Sequence, residues 1–125
     1  MTVLDSSAVL AFLFKEPGGD QVQELFRTSM VSAVNVTEIV AKQIDKGLAP
    51  DLAERRCDGL NLDVMPFDHE LARLAGKLRA DTKHKGLSLG DRACLALAIL
   101  TERTAVTADR KWADLDVGCK IEIIR

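Results

Sequence analysis

Five short runs, "TVLD", "MVSAV", "LDVMPF", "AVTA" and "IEII", recur along the chain, rich in Val, Ile and other apolar residues, and most of the intervening segments carry apolar residues at helical spacing. Strand-like runs alternating with helical segments restrict the fold to an α/β class, a small parallel sheet of about five strands sandwiched by helices. "SSAVLAFLF" and "DQVQELFRTS" read as helices split by Pro17, Gly18 and Gly19, the second with an apolar face at Val22, Leu25 and Phe26. "VTEIVAKQIDKG" stops at Gly47, and "PDLAERRCDGL" begins near Pro50. "DHELARLAGKLRADTKHKG" spaces Leu71, Leu74, Ala75 and Leu78 along one helical face and ends in a polar, basic loop from Asp81 to Gly86.

The remaining segment, "LSLGDRACLALAIL", is one of the most apolar stretches of the chain, yet it opens with an acid. Ser88 reads as the N-cap and Asp91 as the third helical position, where an acid can complete a capping box and suits the positive end of the helix dipole. The chain has 125 residues, 47% of them hydrophobic, and shows neither a repeat nor a linker, so residues 1–125 are expected to form a single domain.

The formal net charge of −2 excludes a binder that relies on bulk positive charge, so any contact with nucleic acid must be local. Cys57, Cys94 and Cys119 are far apart and lack CxxC spacing, which indicates neither a disulfide framework nor a zinc site. "MTVLDSS" does not look like a signal peptide, and no apolar run is long enough to span a bilayer, so a cytoplasmic location without membrane contact is expected.

In open parallel sheets, ligands collect outside the carboxyl ends of the strands. Four acids fall at those junctions: Asp5 after the first strand, Glu38 in the first turn of a helix opened by Asn35, Asp91 after Ser88, and Asp109 after the fourth strand. Each has a capping explanation by itself. Together they pose an electrostatic problem, because two carboxylates about 4 Å apart repel by roughly 4 kcal/mol at an effective dielectric near 20. Protons or a cation must offset that repulsion, and helix N-termini favour the ionised form, so a metal is the more natural partner. Hard oxygen ligands without His or Cys suit Mg²⁺ or Mn²⁺, and such ions serve phosphodiester chemistry.

These residues stand in segments, "VLDSSAVLAFL", "SAVNVTEIV", "LSLGDRACLALA" and "AVTADRKW", whose order and spacing resemble the PIN-domain family, more closely the VapC-type toxin ribonucleases of toxin–antitoxin pairs. The resemblance spans the full length and places the family's acidic quartet on Asp5, Glu38, Asp91 and Asp109. It implies a PIN-like fold, Mg²⁺-dependent endonucleolytic cleavage of RNA, a homodimer, and inhibition by a cognate VapB-type antitoxin. Ser6 and Thr107 fall where the family often carries hydroxyls, and Asp114 where some members carry a further acid. Within the quartet, Asp5 and Asp91 read as direct metal ligands and Asp109 as a ligand or second-metal anchor, with Glu38 a ligand through water or a general base.

Arg92, Arg110 and Lys111, with the "KHK" loop at Lys83 to Lys85, are candidate contacts for RNA phosphates, each with a solvated surface as its alternative. Trp112 could stack on a base or pack against the sheet. Phe12, Phe14 and Phe26 fit either the core or a partner surface. His69 and His84 have no partner at catalytic spacing. Two other functions compete: a PIN-fold interaction module without chemistry, which four intact acids argue against, and a haloacid-dehalogenase-type phosphohydrolase. The latter requires an aspartate two residues after Asp5, where this chain has Ser7.

Overall fold

Val3 and Leu4 are adjacent, both wholly buried, and belong to different hydrophobic clusters. Side chains alternate across a strand, so β1 (Thr2–Leu4) is covered on both faces and must lie inside the sheet. In the computed structural model, which describes all 125 residues, β1 pairs with β2 (Ser29–Ser32) on one side and β4 (Thr104–Thr107) on the other. β3 (Asp63–Met65) extends the sheet beyond β2 and β5 (Ile121–Ile123) beyond β4. All pairings are parallel and the order is β3-β2-β1-β4-β5, the α/β architecture expected from the alternation.

Seven helices complete the fold: α1 (Ser6–Leu13), α2 (Gly19–Gln23), α3 (Ala33–Asp45), α4 (Pro50–Asp58), α5 (His69–Lys77), α6 (Arg79–Thr82) and α7 (Leu89–Thr101). Leu4, Val31 and Val106 share one cluster with Val9 of α1, Val22 of α2, Ile39 of α3 and Cys57 of α4. Val3 and Ala105 share the other with Leu71 and Ala75 of α5 and the run from Cys94 to Ala98 in α7. α7 is apolar nearly all round because residues Ala93 to Ala98 are all buried. Gly19 lets α2 close onto α1, since a Cβ there would collide with the main chain of Ala11.

Several boundaries differ from the sequence reading, each for a local reason. "MVSAV" is not all strand: β2 ends at Ser32, whose hydroxyl accepts from the Val34 amide and caps α3. Asn35 therefore does not open the helix, and Glu38 lies in its second turn. "DQVQELFRTS" makes only the five-residue α2 and a 3₁₀ turn at Phe26–Thr28, because Ser29 and Met30 are taken into β2. The strand within "LDVMPF" is confined to Asp63–Met65. The expected polar loop after α5 is largely helical, with α6 followed by a 3₁₀ turn at Lys83–Lys85 that ends at Gly86 in the left-handed region.

The chain builds outward from β1 to β3 and then returns to the other side of β1 at β4. That reversal makes the carboxyl ends of β1 and β4 the switch point at which such sheets place ligands.

Candidate active site at the carboxyl edge of the sheet

Asp5 stands at this switch point. It is 1% exposed and is the N-terminal boundary residue of α1, yet its side chain makes no capping bond, so capping does not explain it. Its Oδ2 instead accepts hydrogen bonds from Ser7 Oγ at 2.6 Å and Thr107 Oγ1 at 2.9 Å. Its Oδ1 is buried without a hydrogen-bond partner. Burial is the main cause that raises the Asp5 pKa from 3.8 to about 7; the Ser7 and Thr107 bonds oppose it, and the charges of Asp91 and Glu38 add to it.

Glu38 reaches the same edge from α3. Ser6 Oγ donates to its Oε1 at 2.7 Å and Asn35 Nδ2 at 2.8 Å, while Oε2 has no protein donor. Asn35 is fully buried and also donates to the main-chain oxygen of Gly90 at 3.1 Å, tying α3 to the opening turn of α7. Gly90 is required by this approach, because a Cβ there would fall inside the Glu38 carboxylate.

Asp91 does form the capping box. Its amide donates to Ser88 Oγ at 3.2 Å, and its Oδ2 accepts from the Ser88 amide at 2.8 Å. Oδ1 is left outside these bonds. Partial burial is the largest cause raising its pKa; the Ser88 bonds act against that, and the charges of Glu38 and Asp109 add to it. Asp109 caps the 3₁₀ turn Arg110–Trp112 through Oδ1, which accepts from the Lys111 amide at 2.9 Å. Its Oδ2 lies 3.8 Å from Lys111 Nζ, both groups being substantially exposed.

One pattern unites the four acids: the fold holds one oxygen of each carboxylate through a hydroxyl, amide or main-chain donor and leaves the other without a protein hydrogen bond. Asp5 and Asp91 each feel two of the other acids electrostatically. The carboxylates do not surround a common point as a metal-holding group of three or more. The donor set suits a hard divalent cation: oxygen ligands only, no His or Cys, and a buried Asp5 Oδ1 with no partner.

The surrounding candidates separate clearly. Ser6 and Thr107 both touch site carboxylates, so neither is merely a cap or a strand-end hydroxyl. Ser7 and Asn35, not singled out by motif, do the same; only the apolar surroundings of Asn35, one turn before an acid, could have signalled it. Asp114 is exposed and paired with Lys85 at 2.5 Å, which commits both to the surface and lowers the Asp114 pKa, chiefly through the Lys85 hydrogen bond. Arg92 turns onto α5, donating to Ala75 O at 3.0 Å. Arg110 donates to the main chain of Arg125 and Lys111 faces Asp109. Trp112 is fully buried in the core with α7, so it packs and does not stack on a base. Phe12 and Phe26 meet edge to face at 5.1 Å, as a packed pair.

A parallel α/β sheet with acids from four segments at its switch point defines a class of proteins rather than one activity. The match to the family model described as the PIN domain covers residues 2–118, and the chain belongs to that family. Among solved structures it is similar to DNA-bound VapBC from Salmonella typhimurium, with 21% identity, a TM-score of 0.74, and coverage of 99% of this chain and 98% of that one. It is similar also to VapBC2 from Rickettsia felis bound to a DNA fragment from their promoter, at 18% identity and TM-score 0.74, covering 97% and 96% of the two chains. FitAcB from Neisseria gonorrhoeae matches at 20% identity and TM-score 0.72, over 98% and 96%. No curated protein sequence matches the chain. No helix is long and apolar enough to cross a membrane.

Proposed function

We propose that the protein is a metal-dependent endoribonuclease, the VapC-type toxin of a toxin–antitoxin pair, that cleaves RNA phosphodiester bonds at Asp5, Glu38, Asp91 and Asp109. The observation that carries this reading is the shared pattern of the quartet, in which the fold fixes one oxygen of each carboxylate and leaves the other without a protein hydrogen bond. Asp5 and Asp91 would hold Mg²⁺, or Mn²⁺ in its place, with Asp109 as a further ligand or the anchor of a second ion. When bound, such an ion lowers the pKa of its water and offsets charge on the phosphate.

The chain's own residues supply the positioning. Ser7 and Thr107 orient Asp5, and Ser6 and Asn35 hold Glu38, whose Oε2, without a protein donor, would accept a proton from an attacking water. Likeness to structures named VapBC and FitAcB supports a VapB-type antitoxin as partner and toxin activity as its context. A homodimer is the expected assembly.

The test is cleavage of a structured RNA by the purified protein. Cutting should require added Mg²⁺ or Mn²⁺ and cease in Asp91→Asn, which keeps the capping geometry and hence the fold. Cutting that persists in EDTA or in the folded variant refutes the reading.

A further inference from the structure

An acidic site repels the substrate it is proposed to cut, so affinity for RNA must come from cations beside the quartet. The basic residues beside Asp91 and Asp109 in sequence are already engaged: Arg92 by Ala75, Lys85 by Asp114, Lys111 by Asp109 and Arg110 by the Arg125 main chain. A groove of about 440 Å³ between α1 and α3 offers the alternative. It includes Ser7, which donates to Asp5, and no other surface depression contains a residue bonded to a quartet acid.

Three cations line this groove, Lys42, Lys46 and Arg125, against two acids, Glu16 and Asp45. Arg125 and Glu16 form an ion pair at 3.1 Å and offset each other. Lys42 and Lys46 have no carboxylate within ion-pair distance; Lys42 lies in the last turn of α3 and Lys46 just beyond its end, where the Lys46 amide donates to the Lys42 carbonyl at 3.1 Å and keeps the two residues together. Phe14 forms part of the groove wall, half-buried, with the Lys46 ammonium 5.5 Å from its ring centroid. Unpaired ammonium groups beside an aromatic face are the elements by which proteins hold single-stranded nucleic acid without reading its sequence.

We infer that the α1/α3 groove is a subsite for the single-stranded RNA flanking the cleaved bond, with Lys42 and Lys46 holding its phosphates and Phe14 giving a base a surface to lie on. This rests on the ribonuclease reading. It implies that cleavage rate depends on nucleotides beyond the scissile bond and that short oligonucleotides, which do not reach the lysines, bind weakly.

The experiment uses the full chain carrying Asp91→Asn, chosen so that the RNA stays uncut, and measures binding of a fluorescein-labelled single-stranded oligonucleotide across a salt series. Adding Lys42→Gln and Lys46→Gln should weaken binding about tenfold at low salt. It should also reduce the slope of log K against log salt by about 1.4, the value for two phosphate contacts on a single strand. Arg103→Gln with Lys120→Gln, which removes equal charge before β4 and β5 at the opposite edge of the sheet, should leave binding unchanged. In the otherwise wild-type protein, the lysine pair should raise KM for long RNA more than it lowers kcat.

If the lysine variant binds and cuts RNA like its parent, the groove proposal is overturned while the nuclease reading stands. If it keeps its RNA affinity but loses that for the cognate antitoxin, the groove belongs to a protein partner and the proposal is again overturned. If the wild-type protein neither binds nor cuts RNA, the nuclease reading fails first and the subsite with it.

Discussion

Asp5→Asn separates what the buried carboxylate costs the fold from what it does in the site. Burial is the chief reason its pKa stands at about 7 in the folded protein against 3.8 for an unperturbed aspartate. Between those values the folded chain binds more protons than the unfolded one, so stability falls as pH rises through this window. The gap corresponds to about 4 kcal/mol, fully paid once Asp5 is ionised. Asparagine does not ionise, and its amide oxygen can still accept from Ser7 and Thr107. Its NH₂, however, replaces Oδ1, which has no partner, at a cost of about 1–3 kcal/mol. At pH 8 the variant should therefore be more stable than the wild type by about 2 kcal/mol, and at pH 4, where wild-type Asp5 is itself largely neutral, that advantage should be lost or reversed. Urea unfolding in EDTA at both pH values measures this directly, with m unchanged. Excess Mg²⁺ at pH 8 should narrow the gap by stabilising only the wild type. A difference of the same sign at both pH values would refute the claim that Asp5 is strained by ionisation.

Other substitutions probe the support around the quartet. Gly90→Ala should cut the RNA cleavage rate at least tenfold because its Cβ displaces the Glu38 carboxylate, while thermal melting shows a loss of only about 1–3 kcal/mol, since a flexible side chain yields first. Trp112→Ala should cost about 3–5 kcal/mol in urea unfolding, because the ring is wholly buried among α7 and sheet residues. Asp114→Ala should leave the RNA cleavage rate and the thermal melting midpoint unchanged, since its only partner is Lys85 and solvent screens the pair.

Legibility in the sequence followed periodicity and failed where tertiary contacts chose among local options. The strand order depends on β1 having both faces covered, and "TVLD" announces this by carrying adjacent apolar residues without alternation. The boundary at Ser32 was obscured because Val34 suits a strand as well as a helix, and only the Ser32 cap decides between them. Three of the four candidate acids are legible because Asp5 and Asp109 follow strands and Asp91 lies in the first turn of α7, positions fixed by chain order, while Glu38 stands in the second turn of α3. The bonds from Ser7 to Asp5 and Asn35 to Glu38 were not visible, because a hydroxyl or amide beside an acid is common and its orientation is set by packing. The basic residues misled for a related reason: proximity in sequence does not reveal that Arg92 is drawn to Ala75 or Lys85 to Asp114.

Asp91 shows why capping and chemistry were never true alternatives. A carboxylate has two oxygens, and the capping box engages only Oδ2, which accepts from the Ser88 amide. That bond restricts rotation of the side chain and so fixes where Oδ1 points, at the start of a helix immobilised by its buried apolar run. Capping therefore supplies the rigidity that the proposed ligand role would require, and Asp109 repeats the device with its Oδ1 held by the Lys111 amide. Asp5 reaches the same result without a cap, since two hydroxyls hold one oxygen and burial isolates the other. In each case the local bond that looks sufficient by itself also leaves the second oxygen without a protein hydrogen bond. Substitutions that break the local bond should thus impair the site even where the acid remains.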